Sequence, residues 1–365
     1  MPDDTAAARA RRATTRRRVL GAAGSLVVVV AVFVFLLPRI ADYREVLGVV
    51  RDLGPWQWVA LAAATLLNLA TFAPPWMAAL PGLRFRQAFV MTQTSTALAT
   101  IAPAGAAVGM AGSYTMLRSW SFPSAAVGLA VALTGVWNQL ANLAFPIVAL
   151  ALLTAQGQDH PALRTAALVG VAVLAVVLVS FAVALSSPRQ ARRVGDLAAR
   201  LASRAKRIVR RPPVPWDGER FVRFRAQAVH LVRRRWHVLT LATLLGHLTV
   251  FVVLLACLRA VGVSGDEVSG VEAFAAWALV RILGALPLTP AGVGVIELGL
   301  TGALVAFGAP NAEAVAATLL YRALTVLPTL ALGLLGAATW RTHHPGRDLR
   351  PSPAPEPGED SSGVS

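Results

Sequence analysis

RILGALPLTPAGVGVIELGL, residues 281–300, decides the fold. Pro287 and Pro290 lack a backbone N–H and interrupt a helix, and Gly292 and Gly294 permit a turn, so an apolar run is broken midway. At membrane depth, the N–H and C=O groups freed by such a break must be satisfied by protein or by water in a cavity. A helix restarting beyond the break would point its N-terminus, with roughly half a positive charge and free N–H groups, at that cavity. That arrangement suits an anion.

Outward from this stretch, the chain reads as an all-α integral membrane protein. Of its 365 residues, 56% are hydrophobic and 14% charged, against about a quarter charged in soluble domains. Uncharged runs such as Thr165 to Ser186 and Trp236 to Leu258 exceed the roughly 20 residues that cross a bilayer as a helix. No run shows the period-2 alternation of a membrane β-barrel.

The net charge of +16 is not spread evenly. Fifteen of the 34 Lys and Arg lie in Ser187 to Arg235 with three acids, giving that segment +12, and six Arg precede the first apolar run. Basic residues gathered in loops mark the cytoplasmic side of a membrane protein and are attracted to anionic lipid. Within 187–235, Leu197, Leu201, Ile208 and Val209 among the arginines form an amphipathic pattern suited to the inner leaflet surface. No nucleic-acid recognition motif accompanies this charge, so nucleic acid is not an expected partner.

Five regions follow. Residues 1–18 are a basic cytoplasmic N-terminus, 19–186 a first membrane half, 187–235 a basic amphipathic cytoplasmic segment, 236–340 a second membrane half, and 341–365 a Pro-rich disordered tail. The basic start and apolar run at 19–37 lack a convincing cleavage site, which predicts a retained helix and not a signal peptide. Further spans are predicted at 56–80, 124–155, 163–186, 236–260 and 313–340, with broken segments at 88–117 and 271–308.

With the N-terminus inside, a single crossing at 88–117 would put the +12 segment outside. A hairpin that returns to its side of origin keeps Arg84 and Arg118 inside and places Asp159 and Glu267 outside. For 271–308, two full crossings have the same parity as a hairpin. An internal repeat favours the hairpin: PAGAAVG at 103–109 matches PAGVGVIE at 290–297, each between one spanning helix and another. The two units then have opposite orientations. The prediction is six spanning helices plus two Pro/Gly-broken re-entrant hairpins in an inverted repeat, with both termini at the cytoplasmic face of the cell membrane. Such paired breaks point to a transport site near mid-membrane.

Charges within spanning segments are functional candidates, usually paired. Arg281, Glu297 and Arg322 flank the second break, the last beside Tyr321, and one acid against two arginines leaves a positive charge over. A duller reading pairs Glu297 with one arginine as a staple. Asn138, Gln139 and Asn142 share a face of their helix and point inward. The hydroxyls of Thr92, Thr94, Ser95, Thr96 and Thr100 suit helix packing, and His247 suits a hydrogen-bonded core position. His343 and His344 belong to the tail. With no nucleophile triad, nucleotide loop or metal-ligand spacing, neither cofactor nor soluble-type catalysis is expected. Cys257, the lone cysteine, forms no internal disulfide.

The blocks LPLTPAGVGVIELGLTGALVAFGA and LLYRALTVLPTLALGLLG resemble the lysylphosphatidylglycerol synthase transmembrane family of flippase-like proteins. APAGAAVGMAGSYTMLRSW and GVWNQLANLAFPIVAL are similar to its actinobacterial branch. The resemblance implies an inner-membrane bundle with re-entrant segments and, in the best-understood members, translocation of aminoacylated phospholipid between leaflets. It singles out Pro290, Gly292, Gly294, Glu297, Tyr321 and Arg322. Only Arg341 to Ser365 follow the last predicted helix, with no counterpart of the aminoacyl-transferase domain of full-length synthases, so lysyl transfer is not expected. The first hairpin has Ala106, Ala107 and Val108 where relatives carry an acid. The expected substrate-binding set is Arg281, Pro290, Gly292, Gly294, Glu297, Tyr321, Arg322, Asn138 and Asn142. The expected activity is non-enzymatic translocation of an anionic or polyprenyl-phosphate lipid. The alternative is a membrane scaffold that docks a cell-envelope glycosyl- or acyl-transferase through 187–235.

Overall fold

The computed structural model describes residues 42–102, 105–157, 161–187, 218–284 and 292–340, with a few isolated positions between 188 and 217. The first predicted helix, Leu197, Leu201, Ile208 and Val209 of the amphipathic pattern, Pro290, Asp159 and the tail lie outside the described residues. Within them every regular element is a helix. These are α1 (Tyr43–Arg51), α2 (Pro55–Thr71), α3 (Pro74–Ala79), α4 (Phe85–Ile101), α5 (Gly105–Ser119), α6 (Ser124–Ala155), α7 (Pro161–Ser186), α8 (Gly218–Ala260), α9 (Gly270–Gly284), α10 (Val295–Ala306) and α11 (Asn311–Thr339).

Four described stretches are long and apolar enough to cross a membrane: 55–79, 124–155, 225–260 and 311–339. Their outward faces carry Leu66, Leu241, Leu334 and Leu335, each at least 60% exposed. Side chains so apolar and so exposed in a row suit lipid and not water.

Two boundaries differ from the sequence prediction. The span expected at 56–80 is divided after Thr71, because Pro74 and Pro75 take the first positions of α3 and donate nothing backward. The span expected to begin at 236 begins at Gly218, so the last part of the basic segment is the cytoplasm-predicted end of a 43-residue helix. Arg233 and Arg234 on it are exposed. A short amphipathic helix, α1, was not foreseen; Asp42 caps it, accepting from the Arg44 N–H at 2.8 Å.

Both broken segments are helical pairs folded back on themselves. In the first, α5 lies antiparallel against α4: a Cβ added to Gly109 would fall 2.8 Å from the Ser95 carbonyl, while Gly105 abuts Ala99. Its two mouths meet, since Gly82 before α4 faces Phe122 after α5. In the second, α9 packs on α10, and Gly308 after α10 (φ +114°) touches the Glu267 carbonyl before α9. That loop is stiffened by Arg259, which donates to the carbonyls of Val263, Ser264 and Val268 at 2.8 Å each. The Ser264 backbone N–H, ahead of its hydroxyl, holds the Glu267 carboxyl below the usual carboxylate range.

Helix α11, 29 residues and about 44 Å long, measures the relation between the hairpins. The mouth of the first lies at its C-terminal end, where Trp120 Nε1 donates to the Trp340 carbonyl at 3.0 Å. The mouth of the second lies at its N-terminal end, three residues before Asn311. Helix α4 runs antiparallel along the far half of α11, with Gly333 against the Gln93 carbonyl at 2.8 Å for an added Cβ. Small residues here let two backbones approach, as in membrane helix interfaces generally. The open ends of the two helical pairs thus lie at opposite ends of one helix.

Candidate functional site

The restart of α10 is built by glycine. Gly292 (φ +67°) and Gly294 (φ +86°) occupy the left-handed region that side-chain-bearing residues disfavour. Glu297 follows at the third helical position, where its Oε2 accepts the Gly294 N–H at 2.6 Å. Its Oε1 accepts Arg322 Nε at 2.7 Å, and the two side chains are only 4% and 16% exposed. The helix N-terminus expected to face an anionic cargo is therefore capped by the chain's own carboxylate. Tyr321, 8% exposed, packs in the apolar core close to both Arg281 and Arg322.

Arg281 does not join Glu297 and Arg322, as the expected three-residue site required. At the end of α9 its Nη2 donates to Asn142 Oδ1 on α6 at 2.5 Å and to His247 Nδ1 on α8 at 2.9 Å. A guanidinium has no acceptor, so Nδ1 must be the unprotonated nitrogen and Nε2 carries the imidazole proton. The guanidinium carbon lies 4.8 Å from the Trp277 ring centroid, a cation–π position. Asn142 is oriented in turn by Gln139, which accepts from its Nδ2 at 3.2 Å. No carboxylate pairs with Arg281 among the described residues. Since Glu297 is matched by Arg322, the surplus positive charge is Arg281, held only by neutral groups.

A cavity of about 180 Å³ opens on the far side of His247 from this cation, lined mostly by apolar groups. Phe72 and Trp76 line it from one side, Thr134 and Asn138 on α6 from another, and Thr243 and His247 on α8 close it. His247 is shared: its ring faces the cavity and its Nδ1 holds Arg281, with Phe145 and Phe72 edge-on at 5.7 and 6.3 Å. Asn138 thus lines the cavity and Asn142 holds the guanidinium, one turn apart on the same helix.

The polar side chains of the two hairpins differ in their partners. In the first, Thr92, Ser95 and Thr100 each donate to a carbonyl one turn back, Thr94 to Gly333 and Gln93 to Leu69. Among the described residues, Arg281 Nε, Thr301 Oγ1 and Thr318 Oγ1 are buried without a partner, whereas Trp277 lies within hydrogen-bonding reach of Tyr321. All three belong to α9, α10 or α11, and buried polar groups normally find partners. His247 and Trp277 were not singled out as site residues by the sequence. The signal for His247 was its position as an ionisable group inside a span.

The sequence matches the family described as lysylphosphatidylglycerol synthase TM region over residues 22–333. No curated protein matches it. The matched range covers both hairpins, the Glu297–Arg322 pair and the Arg281–Asn142–His247 group; this multi-pass membrane protein belongs to the lysylphosphatidylglycerol synthase transmembrane-region family.

Proposed function

We propose that the protein translocates an anionic lipid across the plasma membrane without covalent chemistry, with Arg281 as the group that receives the head. The observation that carries this is the part-buried guanidinium held by Asn142, His247 and the Trp277 face, with no acid paired to it among the described residues. An unpaired charge at membrane depth is costly and marks a site that a counter-charge completes. Phosphate is the matching partner, because a guanidinium offers it paired donors. The Glu297–Arg322 pair has the other role: it fastens the start of α10 to the middle of α11 and so shapes the break.

Reconstitution in vesicles tests the reading. Fluorescent phosphatidylglycerol and a polyprenyl phosphate are expected to cross faster than in protein-free vesicles, and phosphatidylcholine is not. Anionic lipids crossing no faster than in protein-free vesicles would overturn it.

The topology within this reading is a pair of re-entrant hairpins dipping from opposite faces, which the mouths at the two ends of α11 support. In a Cys257→Ser background, cysteines replacing Arg84 and Arg118 are expected to be shielded from an impermeant maleimide added outside intact cells. A cysteine replacing Glu267 is expected to react. Labelling of residue 118 from outside would reject the hairpin.

A further inference from the structure

Beside the head-group cavity lies a second opening of opposite character. A trough of about 380 Å³ runs between α6, α7 and α8, walled by Leu140, Ala144, Leu174, Leu178, Trp236 and Leu244. Its polar atoms are already engaged. Trp137 Nε1 donates to Thr240 Oγ1 at 2.9 Å, and Thr243 Oγ1 donates to the Leu239 carbonyl at 2.7 Å. What remains is an apolar surface that extends from Leu244 to Trp236, about 12 Å along α8.

Thr243 lines both the trough and the cavity that holds His247. A hydrocarbon channel and a cavity that carries Thr134, Asn138 and His247, the last bonded to the Arg281 guanidinium, therefore adjoin at one residue, and the order of the two chemistries is that of a single amphiphile. We infer that the trough seats an acyl chain of the same anionic glycerophospholipid whose head group reaches Arg281. This rests on the translocation reading above and adds to it where the tail lies. Charge complementarity selects the head, and continuity at Thr243 selects a chain attached to it over an unrelated apolar ligand.

Filling the trough separates this inference from the reading it rests on. Leu178→Trp changes a side chain that is 45% exposed on α7, and Ala144→Leu enlarges the facing wall on α6; two sites on different helices guard against a folding defect in one. Binding of dioleoyl phosphatidylglycerol and of its short-chain dihexanoyl counterpart is measured for each detergent-purified variant. Each trough variant is expected to weaken the long-chain lipid about tenfold, roughly what losing contact with two methylenes is worth, and to leave the short-chain lipid unchanged. Arg281→Gln is expected to weaken both. Unchanged long-chain binding by both trough variants, with Arg281→Gln still impaired, would overturn the acyl seat and leave the translocation reading standing. Unchanged binding of both lipids by Arg281→Gln would overturn the translocation reading itself. Undecaprenyl phosphate binding more tightly than either phosphatidylglycerol, and losing affinity in the trough variants, would reject the acyl chain in favour of an isoprenoid.

Discussion

Vesicles carrying Arg281→Gln are expected to move anionic lipid no faster than empty vesicles, although the variant melts no lower than the parent protein. The two halves of that result have one cause. Arg281 is a part-buried cation whose hydrogen-bonding partners among the described residues, Asn142 and His247, are neutral, so the apo fold carries its desolvation without a compensating charge. Glutamine keeps an N–H donor for Asn142 and removes the charge, which leaves stability equal or improved. The head group loses its counter-charge: at the lower end of the about 2–5 kcal/mol measured for truncating buried charged partners, affinity falls roughly thirtyfold. Arg281→Lys retains the charge but not the planar fork and is expected to fall between the two. Unimpaired transfer by a well-folded Arg281→Gln protein would remove the proposed site.

The largest effect on stability is expected at Glu297. Glu297→Gln leaves an acceptor for the Gly294 N–H, so it isolates the ionic contact to Arg322 from the helix cap. Removing one member of a buried pair costs about 3–5 kcal/mol, whereas replacing both with apolar groups is close to neutral. Glu297→Gln should therefore lower the thermal midpoint in detergent, and Glu297→Gln with Arg322→Met should recover most of the loss. Glu297→Leu, which loses cap and charge together, should be the least stable of the series. A double variant that melts below both single variants would contradict the fastening role.

Much of the bundle was legible because its punctuation is chemical. The limits of α6 follow from Pro123 and the polar QGQ at its end, and the restart at Val295 follows from Gly292 and Gly294. The division of α2 from α3 was also written in Pro74 and Pro75, but the unbroken apolar run hid it. The extension of α8 back to Gly218 was hidden by charge: arginines that read as a loop are equally compatible with a helix leaving the membrane. The site was only half visible. Sequence can show that Arg281, Glu297 and Arg322 lie at membrane depth. It does not show which of the two arginines Glu297 takes, because that depends on how α10 lies against α11. Arg281 finds its partners 139 and 34 residues away, on helices whose inward faces only tertiary packing defines.

The bond between Arg281 and Asn142 joins α9 of the second half to α6 of the first. An anion that replaces Asn142 Oδ1 as acceptor of the Arg281 N–H thereby loosens a tie between the two halves. By thermodynamic reciprocity, whatever parts α6 from α9 must raise affinity for the anion by the same factor that the anion favours their parting. Cargo and conformation then act as effectors of one another partly through this hydrogen bond, beside the Phe145 contacts with Phe274 and Trp277 that also join the two helices, and Asn142→Ala should bind more tightly while responding less.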